Sequence, residues 1–206
     1  MTPSVVVFDL GKVLLDFDYD IAAKKISARC SGPDCDVRKL IDHSPLLFRF
    51  ETGLMTARQF YESVQAATGF MGSEIEFAEM FADIFSEMPR MIALNESLRA
   101  RQVPTYIFSN TNPIAVRHIE KRFPFFKNFN GHVYSYEHGS MKPDEKIYAV
   151  VEEATGHGRD SILYLDDRVE NVAAGKARGW QTILQEDAET TWARVRELGL
   201  LTDSKS

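Results

Sequence analysis

The chain has 206 residues, enough for one sizeable core with a modest insertion and too few for two full domains of about 100–200 residues each. Hydrophobic residues make up 44% and charged residues 26%, which excludes a disordered or low-complexity chain. With 24 Lys+Arg against 30 Asp+Glu the net charge is -6, so nothing general draws the protein to nucleic acid or to an anionic membrane, and an anionic target would need a local source of positive charge.

Ser4–Phe8 is an unbroken, β-branched apolar run and predicts a strand buried on both faces. Residues 20–88 then read as helical throughout. The interval before the next strand signal is far longer than the dozen or so residues a crossover needs, which predicts an inserted cap of four helices over residues 18–88. Within it Phe77, Met80, Phe81, Ile84, Phe85 and Met88 recur at steps of three and four, the spacing of a helix face packed on a core. A return helix is predicted at Pro89–Arg101 and a second strand at Thr105–Ser109. Asn112 before Pro113 marks the N-cap and first position of a helix to about Arg122. His132–Tyr136 is a weaker strand candidate. Pro143 opens a helix over Asp144–Thr155 that ends at Gly156. Ser161–Leu165 is the third strong strand signal. Val169–Arg178 is a helix closed by Gly179, Trp180–Leu184 a fourth strand, and Ala188–Leu198 a terminal helix before a polar tail at Thr202–Ser206. Strands covered on both faces and separated by helices predict an α/β fold, a Rossmann-like, doubly wound parallel sheet. Residues 1–17 and 89–206 would form its core domain and residues 18–88 the inserted α-helical cap.

Cys30 and Cys35 do not make a disulfide framework, and the five histidines are too scattered for a zinc site. Reduced thiols are the expectation. The N-terminus has no basic run, and its apolar stretch stops at Asp9, unlike a signal peptide; no segment approaches the ~20 apolar residues of a membrane span. A soluble cytoplasmic protein, monomeric or weakly dimeric, is expected.

In an open parallel sheet, ligands bind beyond the carboxyl ends of the strands. After the first strand comes Asp9, after the second Ser109-Asn110-Thr111, after the third Asp166-Asp167, and Lys142 precedes a helix. Separate crossovers could bring these groups to one rim. Three neighbouring carboxylates repel and raise one another's pKa unless a cation is present. Lys142 supplies one positive charge, and a hard divalent ion, Mg2+ first among them, would supply two more through oxygen ligands. Such a site could accept a phosphate, with Ser109, Asn110 and the N–H groups of the following helix N-terminus as donors.

These residues form a recognisable set. Val5-Val-Val-Phe-Asp9-Leu-Gly11-Lys-Val13, Ile107-Phe-Ser109-Asn110-Thr111, Lys142-Pro143 and Leu165-Asp166-Asp167 with Asn171 resemble the four motifs of the haloacid dehalogenase superfamily, with a helical cap between the first and second. The resemblance covers nearly the whole chain. The opening and the paired Asp166-Asp167 are similar to the subgroup containing bacterial α-glucose-1-phosphate phosphatase and the phosphatase domain of bifunctional epoxide hydrolases. What the resemblance implies is a Mg2+-dependent phosphatase of a small phosphorylated metabolite, with a sugar phosphate as the expected substrate. Asp9 would attack phosphorus and form an aspartyl-phosphate. Mg2+ would be held by the Asp9 carboxylate, the Gly11 carbonyl and Asp167, with Asp166 acting through water or as a support. Ser109, Asn110 and Lys142 would hold the phosphoryl oxygens, and Asn171 would orient Lys142 or Asp167.

One position departs from that pattern. Many family phosphatases carry Asp two residues after the nucleophile as general acid and base, and Gly11 stands there. General acid–base help is typically worth about 10²–10⁴ in rate, so Asp16, Asp18 or a cap residue such as Glu51 takes over, or the leaving group needs little help, or turnover is slow or absent. Arg49-Phe50-Glu51-Thr52-Gly53 resembles the loop by which such caps reach the active site, which makes Arg49 and Glu51 candidate substrate contacts beside the plain reading of a solvated turn. Lys12 and Arg168 flank the rim and read as solvated. The competing function is a phospho-ligand-binding or regulatory protein that does not turn over. A phospho-accepting receiver and a dehalogenase are disfavoured, the first by the cap and the second by the phosphate-type motifs and the Asp pair.

Overall fold

The computed structural model describes residues 1–31 and 36–201; Cys35 and the tail at 202–206 lie outside them. The core is a five-stranded sheet in the order β5-β4-β1-β6-β7, with every neighbouring pair parallel. Its strands are β1 (Val5–Phe8), β4 (Thr105–Ser109), β5 (Gly131–Tyr134), β6 (Ile162–Asp166) and β7 (Gln181–Leu184). Alternate residues feed two separate clusters. Val6, Phe8, Ile107, Leu163 and Leu165 pack on one face, and Val5, Val7, Phe108, Ile162 and Tyr164 on the other. The unbroken apolar runs are thus the period-2 pattern with both sides filled.

The first face is covered by α6 (Pro89–Ala100), α7 (Pro113–Arg122) and α11 (Ala188–Glu197). The second is covered by α9 (Glu145–Thr155) and α10 (Val169–Ala177). The Asn112 side chain accepts the Ala115 N–H at 3.0 Å as the N-cap of α7. The helix predicted from Pro143 begins at Glu145, with Asp144 as its cap. The expected strand His132–Tyr136 stops at Tyr134 and gives way to the four-residue helix α8 (Ser135–His138). Ser135 Oγ is tied to Thr111 there, accepting its N–H at 2.9 Å and donating to its carbonyl at 3.2 Å.

Between β1 and α6 the described residues form five helices where four are expected. They are α1 (Tyr19–Ser27), α2 (Val37–Ile41), α3 (Pro45–Glu51), α4 (Ala57–Thr68) and α5 (Glu74–Ala82). Two of them, α2 and α3, span too few turns to show a period, yet each has its own N-cap, Asp36 and Ser44. The five helices share one apolar cluster, with the Phe50 and Phe60 rings stacked 4.5 Å apart and Phe77 and Phe81 beside them. The apolar stripe predicted through Met88 ends as a helix at Ala82. Ile84 and Met88 fall outside it, and Phe85 begins β3 (Phe85–Glu87), antiparallel to β2 (Leu15–Phe17). This ribbon is the neck between the helical insertion and the sheet, and Phe85 packs against both clusters. Among the described residues no helix is long and apolar enough to cross a membrane.

Candidate active site

The order of the sheet decides what meets at its carboxyl edge. β1 is central, with β4 on one side and β6 on the other, so the chain reverses its winding direction beside β1, where open α/β sheets form a crevice. Phe8 is in register with Ile107 and with Leu165. Asp9 therefore leaves its strand beside Asp166, and Ser109 ends the other flanking strand.

Lys142 reaches into this row from the loop before α9. Its side chain is 1% exposed, and its ammonium lies 2.8 Å from Asp9 Oδ1 and 2.7 Å from Asp166 Oδ2. It also donates to the Phe108 carbonyl at 2.9 Å. An ammonium has three N–H donors, and all three are used. Burial works against its charge, but Asp166 and Asp9 outweigh that and hold its pKa above the ordinary lysine range. Burial likewise opposes ionisation of Asp166, and there Lys142 prevails, so the carboxyl stays below its usual value. Asp9 goes the other way. Its burial exceeds the pull of Lys142, Asp166 and Asp167 add repulsion, and its pKa is raised.

Asp166 is fully buried and saturated. Oδ2 accepts from Lys142, from the Tyr164 hydroxyl and from Asn171 Nδ2 at 3.1 Å; Oδ1 accepts from the Arg168 N–H at 2.8 Å and from Asn171 Nδ2 at 3.0 Å. Asn171 thus orients Asp166, not Lys142 or Asp167. Asp167 is half-buried, with its pKa raised by burial and then by Asp166. Asp9, Asp166 and Asp167 offer carboxylate oxygens that all lie within 4.8 Å of one another. Three carboxylates against one ammonium leave two negative charges. An all-oxygen donor set of that charge fits a hard divalent cation.

Ser109 is buried at the end of β4, its hydroxyl directed at the Asn110 carbonyl at 3.3 Å. Asn110 is also brought to the rim, but its side chain is committed: Oδ1 accepts the Lys142 N–H at 2.8 Å and Nδ2 donates to the Lys142 carbonyl at 3.0 Å. That reciprocal pair fixes the backbone from which the ammonium projects. Lys12 points away, paired with Asp16 and bonded to the Phe17 carbonyl at 3.0 Å. Arg168 pairs with Glu170 at 2.5 Å, and Arg49 is exposed.

Gly11 is explained by a neighbour just beyond the first motif, Phe17 at the end of β2. A Cβ placed on it would lie 2.7 Å from Cε1 of Phe17, so an aromatic ring fills the space where an acidic side chain would begin. Phe17 in turn meets Tyr19 edge-on at 5.7 Å between ring centroids. From the other direction, the loop after α3 lies on the sheet edge. Gly53 has φ +71° and approaches so closely that a Cβ there would be 2.1 Å from the Tyr136 carbonyl oxygen. Just before that loop, Glu51 faces Asn112, whose side-chain hydrogen bond favours its ionised form; burial is the larger effect, and with Asp42 it pushes the carboxyl up to about 7. The motifs carry no signal for Phe17, which the neck brings against Gly11, or for Tyr19, which packs on Phe17. A separate groove of about 480 Å³, between α1, α5 and α7, shares no residue with the carboxylate cluster.

The switch-point crevice of the α/β sheet thus holds a buried Asp–Lys–Asp arrangement, in a chain whose helical insertion follows the first strand. Residues 3–179 match the family model of haloacid dehalogenase-like hydrolases, and the chain belongs to that family. It is 24% identical to a sesquiterpene phosphatase of Aspergillus oryzae over 93% of this chain and 94% of that protein. It is 25% identical to a D-ribitol-5-phosphate phosphatase of Bacteroides thetaiotaomicron, over 88% of this chain and 91% of the relative. A haloacid dehalogenase family enzyme from the same bacterium, solved in complex with magnesium and inorganic phosphate, superposes with a TM-score of 0.80 at 21% identity, covering 92% of this chain and 99% of that one. A family hydrolase of Porphyromonas gingivalis has the same TM-score, 0.80, at 21% identity, over 95% and 98% of the two chains.

Proposed function

We propose that the protein is a Mg2+-dependent phosphatase of small phosphorylated metabolites, sugar phosphates above all, acting through an aspartyl-phosphate. The observation that carries this reading is the ammonium of Lys142 set between Asp9 and Asp166, with Asp167 completing an oxygen cluster of net charge two. The phosphatases among the relatives, one of them acting on a pentitol phosphate by its name, support the same chemistry. Asp9, Asp167 and the Gly11 carbonyl would hold Mg2+, and Asp166, whose oxygens are already occupied, would steady them from behind. Bound there, the ion would offset phosphoryl charge and hold one phosphoryl oxygen.

The protein's own groups account for the rest. The Leu10 N–H, at 2.7 Å, and Lys142 both address Oδ1 of Asp9, which leaves Oδ2 to attack phosphorus. Lys142 offsets the charge that spreads over the transferring group. Asn110 keeps Lys142 in place, and the Ser109 hydroxyl can turn from the Asn110 carbonyl to a phosphoryl oxygen. The competing reading, a binder without turnover, draws on Gly11. Phosphate release from a sugar-phosphate panel separates the two. Release that needs Mg2+ and is abolished by Asp9→Asn is expected; metal binding with no release from any substrate would sink the enzymatic reading.

A further inference from the structure

We propose that Glu51 is the general acid and base of the phosphoryl transfer, supplied by the cap in place of the carboxyl that the core lacks at Gly11. This rests on the phosphatase reading above and assigns its missing proton carrier. An in-line displacement places the leaving oxygen on the far side of phosphorus from Asp9. With Asp9 on the floor of the crevice, that side faces the cap. The cap element seated on the crevice edge is the end of α3. Glu51 is its last residue and faces Asn112, in the loop that continues from Ser109 and Asn110. Gly53, two residues on, presses on the Tyr136 carbonyl. From the neck, Phe17 fills the space beside Gly11 and packs on Tyr19, which feels the charge of Glu51.

Glu51 also has the state such a role requires. It is enclosed by protein yet keeps part of its surface open, as a side chain lining an internal cleft does. The groups that face it are Asn112 from the core, Tyr19 from α1 and Asp42 after α2. No cation pairs with it among the described residues. The nearby Arg38 is held by Asp42 at 2.7 Å and by Asp20, and His43 lies against Asp42 at 3.6 Å. A covered carboxyl without a cation holds its proton up to neutral pH, which suits proton transfer at the pH where the enzyme works. The other candidates lack this. Asp16 is exposed and held below its usual range by its hydrogen bond from Lys12, and Asp18 caps α1 through the Asp20 N–H at 2.8 Å.

The proton balance closes over two steps. As Asp9 Oδ2 bonds to phosphorus and the P–O bond to the substrate breaks, the Glu51 carboxyl gives its proton to the leaving oxygen, which departs as an alcohol. Water then attacks the aspartyl-phosphate from the same side. Glu51 takes one water proton, the hydroxyl joins phosphorus, the Asp9–phosphorus bond breaks, and phosphate and both carboxyl groups are restored.

The test compares a poor leaving group with one that needs no proton. In wild type and Glu51→Gln, first-turnover release is measured from the primary-alcohol sugar phosphate that wild type hydrolyses fastest and from p-nitrophenyl phosphate. We expect the variant to lose about 10²–10⁴ in rate with the sugar phosphate. The first-turnover burst of p-nitrophenolate should stay within about tenfold of wild type, followed by slow steady-state turnover because the base of the second step is missing. Equal losses on both substrates, a change in KM alone, or no change would overturn the assignment while leaving the phosphatase reading intact. Wild type inactive on both substrates would sink both. Carbon-13 NMR titration of the metal-free protein gives a readout apart from turnover: a glutamate carboxyl titrating near neutrality is expected in wild type and missing in Glu51→Gln. If the variant does not fold, wild type alone decides, because a steep fall of its first-turnover rate with rising leaving-group pKa would show that no acid assists departure.

Discussion

The rim of the sheet and the seam beneath the cap both bury charge, and they treat it in opposite ways. At the rim, Lys142 spends all three N–H donors on two carboxylates and a carbonyl, and Asp166 fills both of its oxygens. Lys142 and Asp166 therefore stay ionised and fixed in place, each shifted toward its charged form by its partners. In the seam, Glu51 keeps part of its surface open, has no cation paired with it among the described residues, and takes its side-chain hydrogen bond from the Asn112 amide; burial pushes its carboxyl up to about 7. Saturation makes a rigid electrostatic cradle for a phosphoryl group. Deliberate under-pairing leaves a proton that can move.

The largest effect should come from breaking the cradle. Lys142→Met strands two buried carboxylates, and removing one partner of a buried ion pair costs about 3–5 kcal/mol. We expect a loss of that size in urea unfolding, together with loss of phosphate release. Unchanged stability would mean that the rim is far wetter than its burial indicates.

The seam should respond with the opposite sign. Glu51 has a folded-state pKa of about 7 against an ordinary 4.5. The folded state therefore binds the proton more tightly, and this contribution to stability is complete below about pH 4.5, falls as pH rises to about 7, and is gone above it. Glu51→Gln removes that fall. Thermal unfolding across pH should show the variant more stable than wild type by about 1–3 kcal/mol at pH 8 and nearly equal to it at pH 4. Parallel curves for the two proteins would erase the contrast between rim and seam.

The rim was far more legible in the sequence than the seam, for a physical reason. A doubly buried strand is an unbroken apolar run, so Thr105–Ser109 shows its limits directly, and whatever follows such a strand stands at the crevice. That placement alone picks out Asp9, Ser109, Asp166 and Asp167, and the structure gathers these carboxylates around Lys142. The target of Asn171 and the committed side chain of Asn110 were not legible, because a hydrogen-bond partner is a matter of ångströms and not of spacing. The three-residue strands of the neck are too short for a period-2 pattern, and helices as short as α2 and α3 escape a period-3.6 one. The seam joins residues as distant as Tyr19, Glu51 and Asn112; the cap-loop resemblance points to Glu51, but nothing in the segments of Tyr19 and Asn112 ties them to it. Only the closing of the cap on the sheet makes them one environment.

The smallest and most discriminating effect concerns the ring that separates the two regions. An aspartate at position 11 would begin 2.7 Å from the edge of Phe17, closer than two carbon atoms tolerate. Phe17 is only partly buried, so its ring can turn, and Gly11→Asp alone should destabilise by about 1 kcal/mol, the low end for overpacking. With the ring displaced into the crevice, the new carboxyl gains no access to the leaving group, and activity should not rise. Phe17→Ala opens that space. In a Glu51→Gln background, adding Gly11→Asp and Phe17→Ala together should recover about tenfold or more in sugar-phosphate turnover, because a core acid then stands where the cap acid was lost. Recovery from Gly11→Asp without the Phe17 change would show that the ring is no barrier. A folded triple variant with no recovery would show that the crevice admits a proton only from the cap side, and the two regions would then differ in geometry as well as in charge.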